Sequence, residues 1–287
     1  ERQYQSAFVQ AQGALGTVDY AAGLLVFAYN LENPQLMPSI QLGHALSYQH
    51  FVFVNYSRGN RVPTWTEMYY TDPSNVGNPN LQPEFSNAAE LGYRYNRNQY
   101  NPKGYFWKLD AALFYRQHTN MIDWVRETSL VSPNPNPWMP VNIANVAFTG
   151  METSLQFNFN KSGTWGPNKF NLNYTYITAK HNFTSEQESR YAITSMRHQL
   201  NGQALFDLSE KVQLNLTYRL VQRIDQDLYQ VVDAKVNIPI NRHWTVFAEG
   251  NNLTNTQYVE AGFVQMPGRW FKLGLTFGHR AIENPRP

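Results

Sequence analysis

Six segments of this chain alternate apolar with polar residues in strict period two, and this pattern constrains the fold more than any other feature. In residues 151–159 the odd positions are Met, Thr, Leu, Phe and Phe, whereas the even positions are Glu, Ser, Gln and Asn. Successive side chains of a β-strand point to opposite faces, so such a segment predicts a strand with one apolar and one polar face. The same pattern recurs at 89–96, 169–176, 211–220, 229–238 and 270–277.

The polar series of these segments repeatedly carries charges. Each segment is long enough to cross a bilayer as a tilted strand, and alternation of this kind is typical of a wall with lipid on one side and water on the other. We therefore predict an all-β fold, a transmembrane antiparallel β-barrel. The residues predicted to face its lumen are Glu90, Arg94, Glu152, Arg219, Asp233, Lys235 and Lys272.

Composition supports a membrane barrel over other classes. Charged residues make up 15% of the 287, below the roughly 25% of soluble proteins, while a mean hydropathy of -0.51 is too polar for a helical membrane protein. Aromatic residues at 15% suit the interfacial girdles of a barrel. The net charge of +2 argues against a nucleic-acid partner. The seven His residues show no metal-ligand spacing, so neither a metal site nor a cofactor is predicted.

Counting alternation and turn residues predicts about thirteen strands, with no competing helix longer than a turn or two. If the last strand ends in the periplasm, most long connections fall on the outer side, as expected for such a barrel. The predicted outer connections are 30–37, 59–86, 125–144, 179–196, 221–228 and 252–268, and Pro133, Pro135, Pro137 and Pro140 argue against a strand hairpin within 125–144. Because single-chain bacterial barrels have even strand numbers, thirteen strands suggest either one miscounted hairpin or a part of a larger barrel.

Several motifs then resemble a known family. They are Arg61-Val62-Pro63-Thr64 with Glu67-Met68-Tyr69, the run from Gly77 to Glu84 that reads GNPNLQPE, Glu90-Leu91-Gly92-Tyr93, Asn252-Leu253-Thr254-Asn255 with Tyr258, and Met266-Pro267-Gly268-Arg269 before a final strand ending at Phe277. In this order, they resemble the signature sequence of TonB-dependent outer-membrane receptors.

The resemblance implies a barrel of about 22 strands whose lumen is filled by an N-terminal plug domain. Residues 1–277 would be the C-terminal portion of that barrel, and about nine strands and the plug are absent from these 287 residues. Contact with the TonB complex would pass through the absent plug. Family members usually stop at the last aromatic residue of the final strand, so residues 278–287 are expected to form a polar C-terminal tail.

The outer connections contain aromatic and basic residues that could hold a bulky ligand by stacking and apolar contact. The candidates for ligand binding are Arg61, Trp65, Tyr69, Tyr70, Trp138, Tyr191 and Phe263. Each aromatic residue could instead belong to the interfacial girdle or pin loops together. The arginines could equally bind phosphates of lipopolysaccharide or be solvated.

These observations lead to the hypothesis of a receptor in the outer membrane of a Gram-negative bacterium, which imports a bulky nutrient with energy supplied through TonB. A ferric siderophore or cobalamin ranks first, and haem ranks lower because residues 62–77 contain no His. A passive porin-like channel is the alternative, and a soluble all-β binding protein is the third reading. The chain has no Gly-x-Ser-x-Gly elbow and is not expected to be an enzyme. The expected partners are membrane lipid, lipopolysaccharide and the nutrient, and a surface lipoprotein is left open.

Overall fold

The computed structural model describes residues 3–30, 34–97, 105–127, 136–159, 167–181, 187–190, 196–209, 211–224, 227–260 and 264–278. In order, its elements are β1 Tyr4–Leu15, β2 Val18–Tyr29, β3 Gln35–Ala45, β4 His50–Arg61, α1 Trp65–Tyr69, β5 Thr71–Asp72, β6 Asn75–Val76, β7 Glu84–Arg97, β8 Tyr105–Glu127, β9 Met139–Phe159, β10 Lys169–His181, β11 Gln187–Ser189, β12 Met196–Ser209, β13 Val212–Arg223, β14 Tyr229–Pro239, β15 Trp244–Asn251 and β16 Trp270–Phe277.

Thirteen of these strands form one continuous antiparallel wall in chain order, β1-β2-β3-β4-β7-β8-β9-β10-β12-β13-β14-β15-β16. β11 is an additional short strand that pairs with β8, and β5 and β6 form a separate hairpin. The predicted all-β barrel wall and its thirteen strands are thus confirmed. Each strand of the path pairs with its neighbours along the wall, which satisfies the backbone groups of the interior strands.

The register carries the two-faced pattern of each strand across the whole wall. Asn55 pairs with Glu90, Glu90 with Phe114, and Phe114 with Gly150, so these residues share one face. Following the pairing to β16 places all seven residues that were predicted to face the lumen on this same face, which we call the polar face: Glu90, Arg94, Glu152, Arg219, Asp233, Lys235 and Lys272.

The opposite face is apolar and largely uncovered. Leu91 and Leu113, which pair with each other in interior strands, remain 55% and 59% exposed. The buried apolar cluster of the described residues, by contrast, is small and consists of Val125, Ile143 and Val146. A contiguous exposed apolar face of this extent requires an apolar partner, and hydrocarbon is the partner that fits a two-faced barrel wall.

Aromatic rings form a row on the apolar face near the short turns. His50 lies 4.8 Å from Tyr95, Tyr95 lies 4.3 Å from Trp107, and Trp107 lies 5.7 Å from Phe157, measured between ring centroids. Farther along the same rim, Trp244 lies 4.8 Å from Phe277. Amphipathic rings at one level are typical of the interfacial girdle of a membrane barrel.

The hairpin of β8 and β9 differs from the prediction. Their ends were placed at Arg116 and Asn145, with a loop between, whereas the strands contain 23 and 21 residues and their pairing continues to Val125 and Met139. A membrane crossing needs only about 9–11 residues, so this hairpin rises well beyond the wall. Pro140 lies within β9 opposite Trp124, which corrects the argument from prolines. Among the described residues, β9 pairs with β10 only from Val146 onward, and proline is tolerated on a side of a strand that is not paired. Pro133 and Pro135 lie outside the described residues.

The described residues also include a short helix and the first residue of the predicted tail. Across the described ranges, helices are too short and too polar to cross a membrane. Of the predicted C-terminal tail only Gly278 is described, and its backbone N–H donates to the carbonyl of His243 at 2.9 Å. The division into a barrel portion and a tail stays a prediction.

The face assignment predicts unequal effects of a new charge at neighbouring positions of β13. Leu216 lies on the apolar face between Ala204 and Ala234, whereas Thr217 lies on the polar face beside Asp233. In the protein folded into liposomes, Leu216→Arg is expected to lower the free energy of unfolding by roughly 2–4 kcal/mol, because the arginine would enter hydrocarbon. Thr217→Arg is the control and should have a much smaller effect. Equal losses in urea titrations followed by heat-modifiable migration would contradict the assignment.

Candidate ligand-binding surface

The connection between β4 and β7 begins with a capped helix. The Thr64 hydroxyl accepts a hydrogen bond from the Glu67 backbone N–H at 3.2 Å, and the Glu67 carboxylate accepts one from the Thr64 N–H at 2.7 Å. This reciprocal arrangement is a capping box, which satisfies two backbone donors at the start of α1. The sequence Thr-x-x-Glu signals such a start, and it could have predicted α1.

The capped helix presents aromatic side chains to solvent. Trp65 and Tyr69 lie one turn apart and stack at 5.4 Å between ring centroids, yet they remain 55% and 57% exposed. Tyr70 follows directly and is 49% exposed. Its hydroxyl donates to Asp72 at 2.8 Å, and this hydrogen bond lowers the pKa of the Asp72 carboxyl and raises the pKa of the Tyr70 phenol.

An ion-pair network fastens this connection to the wall. Arg61, at the end of β4, donates to Glu67 at 2.8 Å and to Glu84 at 3.2 Å. Glu84, at the start of β7, also contacts His118 Nδ1 at 2.7 Å and accepts from the Ile122 backbone N–H at 3.2 Å. The Glu84 side chain is only 11% exposed. The Glu84 carboxylate thus joins three strands, and Arg61 extends the contacts to Glu67 of the helix. We call this network the Glu84 latch.

The chain that returns from α1 to β7 is held equally closely. A Cβ at Gly77 would lie 2.8 Å from backbone atoms of Met68 and Tyr69, so only glycine fits this approach. Asn78 then donates from its backbone to the Glu67 carbonyl at 2.9 Å and from its side chain to the Pro140 carbonyl at 3.1 Å. These contacts hold the start of the GNPNLQPE run against α1 and β9.

A second cluster joins three connections around Trp138. Arg126 and Arg190 lie 4.6 and 5.7 Å from its ring centroid. Arg126 also pairs with Glu188 of β11. The backbone of Trp138 donates to Ser74 at 2.9 Å and accepts from Val76 at 2.9 Å, which attaches the β5–β6 hairpin. The two clusters therefore belong to one assembly, here called the outer-loop assembly, which comprises residues 61–84, 118–127, 136–142 and 187–190.

The connection between β15 and β16 is organised around one asparagine. Asn252 is 3% exposed and has a positive φ of 49°, a conformation that Asn tolerates better than most residues. Its side-chain amide donates to the carbonyls of Thr256 at 2.8 Å and Pro267 at 3.1 Å, and its side-chain oxygen accepts from the Thr256 N–H at 2.9 Å. Its backbone N–H donates to Asp233 at 2.7 Å. We call this arrangement the Asn252 knot.

Arg219 of β13 connects the Asn252 knot to the polar face. Its guanidinium contacts Glu260 at 2.9 Å and Asp233 at 3.7 Å, and it approaches the Tyr258 hydroxyl at 3.5 Å. Tyr258 in turn stacks on Tyr229 at 4.6 Å between ring centroids. One cation of the wall is therefore shared between an acid of the wall and an acid of the connection.

The predicted ligand-binding residues have different environments. Trp65, Tyr69 and Tyr70 lie together and exposed, whereas Arg61 and Trp138 are engaged in the contacts that hold the assembly. Tyr191 and Phe263 lie outside the described residues. Of the polar-face residues, Arg94 pairs with Asp110 at 2.6 Å and Lys235 with Glu249 at 3.6 Å. The assignment of all these residues to ligand binding or to the lumen stays a prediction.

Sequence reasoning assigned no role to Glu84, His118, Asn142 or Glu260. Glu84 and Asn252 appear in the recognised motifs, but their partners are up to 38 residues away in the chain, and alternation gives no information about such contacts. Asn142 is another example of a contact between distant residues. Its side-chain oxygen accepts from the Gln82 N–H at 2.8 Å, and its side-chain amide donates to the Gln82 carbonyl at 2.9 Å.

The two-faced antiparallel wall and its outer connections define a barrel of the outer-membrane type. A family model described as TonB dependent receptor-like, beta-barrel matches residues 1–253. The chain therefore belongs to this family, which confirms the predicted resemblance. Membership also agrees with the expectation that the chain is not an enzyme, because TonB-dependent receptors are transport proteins.

Individual proteins are similar to this chain in sequence over a short stretch or in fold over most of its length. Over 99 residues, 34% of this chain and 14% of the relative, the sequence is 34% identical to the vitamin B12 transporter BtuB of Vibrio vulnificus (strain YJ016). The wall resembles the siderophore receptor PirA from Acinetobacter baumannii with a TM-score of 0.71 and 15% identity over 96% of this chain and 46% of that one. It resembles the Serratia marcescens hemophore receptor HasR with a TM-score of 0.72 and 17% identity over 96% of this chain and 51% of that one. The chain thus spans about half the length of these structures.

The Glu84 latch predicts that the local stability of the outer-loop assembly depends on the Glu84 carboxylate. Glu84→Ala would remove the acceptor shared by Arg61, His118 and the Ile122 N–H, and is expected to lower the free energy of local opening by about 2–3 kcal/mol. Hydrogen exchange of residues 64–80 measures this change. Glu90→Ala is the control, since Glu90 has no ion pair among the described residues. Unchanged exchange in Glu84→Ala would show that the latch does not hold the loop.

The Asn252 knot predicts a separate effect at the other end of the wall. Asn252→Ala would lose the side-chain hydrogen bonds and keep an unfavourable positive φ, which should cost about 2–4 kcal/mol in the local stability of this connection. Trypsin cleavage after the exposed Arg269 would then accelerate at constant barrel stability. Asn237→Ala, a substitution in neighbouring β14, should leave the cleavage rate unaltered. A cleavage rate equal to that of wild type in Asn252→Ala would contradict the role of the knot.

Proposed function

We propose that this chain forms part of the barrel wall of a receptor that takes up a bulky nutrient across the outer membrane of a Gram-negative bacterium. Membership of the TonB-dependent receptor family carries this proposal. The exposed apolar face supports the location, because it fits a bilayer and not water. In such a receptor the wall would contact membrane lipid on that face, with lipopolysaccharide at its outer edge.

The outer-loop assembly supports a role in ligand capture. It holds Trp65, Tyr69 and Tyr70 exposed on a helix that is fixed by the capping box and by the Glu84 latch. Rigid exposed aromatic rings can bind a large organic ligand at a low entropic cost. Basic residues of the same assembly, such as Arg126 and Arg190, would favour an anionic ligand.

Two substrate classes are supported by the relatives. The matched relative is a vitamin B12 transporter, which favours a corrinoid, whereas the similar solved structures include siderophore receptors, which favour a ferric chelate. A hemophore receptor in complex with heme and a copper transporter are also among the similar structures. We rank ferric siderophore and cobalamin above haem, because residues 62–77 offer no His ligand.

Energy for release is proposed to come from the TonB complex through a plug domain that these 287 residues do not include. A site that binds a scarce nutrient tightly releases it slowly, so uptake needs an input that weakens the site. Because the outer membrane has no ATP, the energy for release would come from the inner membrane. A surface lipoprotein is compatible with the exposed loop aromatics.

Growth of a deletion strain distinguishes the candidates. Reintroduction of the full-length gene should restore growth on either a single ferric siderophore or cobalamin at limiting concentration, and loss of TonB should abolish it. The passive channel instead predicts uptake that persists without TonB. No rescue by any iron chelate or corrinoid would contradict the proposed function.

The exposed aromatic residues provide a prediction about capture. The double substitution Trp65→Ala and Tyr69→Ala should raise the concentration for half-maximal uptake of the rescuing nutrient by about tenfold or more, since two rings contribute apolar contact and stacking. The amount of receptor at the surface should be unchanged. Tyr48→Ala is a control, because Tyr48 is fully exposed at the opposite rim of the wall. An unaltered concentration dependence would remove these rings from the site.

A further inference from the structure

The apolar face of the wall ends in a row of mostly polar residues on the side of the outer connections. The pairing of five neighbouring strands aligns these residues, which are Arg58, Asn87, Gln117, Ala147 and Lys180. Along each strand they lie an even number of positions from the exposed residues of the apolar face, so the row belongs to that face. We call it the outer polar row.

The outer polar row lies about one membrane crossing from the aromatic rings near the short turns. Arg58 is the ninth residue of β4 counted from His50, and Lys180 is the twelfth residue of β10. A tilted strand crosses the hydrocarbon in about 9–11 residues. The adjacent row toward the short turns contains Tyr56 and Tyr115, whose exposed rings suit the outer interface. The outer polar row is therefore at the level of the head groups of the outer leaflet.

The two cations of this row are not neutralised by the described part of the chain. The Arg58 guanidinium lies 5.4 Å from the ring centroid of Phe85, and this cation–π contact orients it on the apolar face. Its Nε is buried and has no hydrogen-bond partner among the described residues, and neither Arg58 nor Lys180 forms an ion pair with them. At the edge of hydrocarbon an unpaired charge is unfavourable, so an anion at this level would stabilise both side chains.

The outer polar row lies well inside the wall, away from both of its ends. Between β4 and the first end are β1, β2 and β3, and between β10 and the other end are β12 to β16. Further strands of a closed barrel would join at β1 and β16, and a lumen domain would lie against the polar face. Neither would cover the apolar face of β4–β10, so the outer leaflet borders this row.

The arginines of the outer connections, by contrast, are engaged within the outer-loop assembly. Arg61 and Arg126 form ion pairs with carboxylates of that assembly, and Arg190 lies over an indole ring. Arg58 and Lys180 point toward the membrane and are therefore better placed to receive anions from it.

We propose that the outer polar row binds the phosphate groups of lipopolysaccharide. The proposal rests on the outer-membrane location proposed above. Arg58 and Lys180 are four strand spacings apart, roughly 19 Å at about 4.8 Å per spacing, which suits two phosphates rather than one. Guanidinium and ammonium groups form charge-assisted hydrogen bonds with phosphate oxygens. The amides of Asn87 and Gln117 lie between the two charges, where they can bond sugar hydroxyls. A diphosphorylated saccharide fits this order of groups better than a phospholipid with a single phosphate.

Lipid titration of the purified protein tests the outer polar row. The protein is extracted from outer membranes in mild detergent, freed of lipid and titrated with diphosphoryl lipid A, while native mass spectrometry counts the bound molecules. The double substitution Arg58→Ala and Lys180→Ala should weaken binding about tenfold or more, because two charge-assisted contacts are lost. Arg97→Ala is the matched control, since Arg97 also lies on the apolar face over an aromatic ring, but at the rim near the short turns. It should retain the affinity of wild type.

Two other lipids identify the anion. Wild type should bind monophosphoryl lipid A more weakly than the diphosphoryl form, and phosphatidylglycerol more weakly still. Equal affinity for all three lipids, unchanged binding by the double variant, or an equal loss in Arg97→Ala would overturn the proposal. Heat-modifiable migration shows which variants are folded, and the pair Arg58→Gln and Lys180→Gln replaces the alanine pair if that pair fails to fold.

This titration requires neither nutrient nor TonB, so its result is separate from that of the uptake experiment. Selective binding of lipid A without rescue of growth by any nutrient would support the site and contradict the uptake function. Rescue of growth together with equal lipid A binding by wild type and the double variant would support the uptake function and overturn the site.

Discussion

Every other feature of this structure depends on the need to bond backbone N–H and C=O groups where no water is present. In hydrocarbon an unbonded peptide group costs several kcal/mol, so a β-structure survives there only when each strand is paired on both sides. The eleven interior strands of the wall meet this need by continuous antiparallel pairing in chain order, while β1 pairs with β2 and β16 with β15 at its two ends. Because pairing fixes the pleat, it also fixes the two faces, and the apolar face can be exposed without a protein core behind it.

Outside the bilayer, water can also bond backbone groups. Where the pairing between strands ends, side chains accept hydrogen bonds from the backbone. Glu84 accepts the Ile122 N–H, and Asp233 accepts the Asn252 N–H. Both carboxylates also contact an arginine, Arg61 in the first case and Arg219 in the second. The same device, an acid on the wall that receives a backbone donor and a guanidinium, thus fixes an outer connection at two places along the wall.

The rigid connections matter for the proposed function because they present aromatic rings without burying them. Trp65 and Tyr69 are exposed although the backbone beneath them is held by Gly77, Asn78 and the capping box. The recognised motifs of the family thus serve mainly as structural supports in this chain.

The sequence by itself determined the wall: its strands, their two faces and the seven charged residues that share one face. Alternation is a local property, and hydrocarbon enforces it at every pair of residues, so it can be read without knowledge of distant contacts. The sequence did not predict the extension of β8 and β9, nor that Arg61 is engaged by Glu67 and Glu84. Only the tertiary structure decided these two features, because both depend on contacts between residues far apart in the chain. Outside the bilayer water permits many backbone arrangements, and the geometry of the side chains selects one of them.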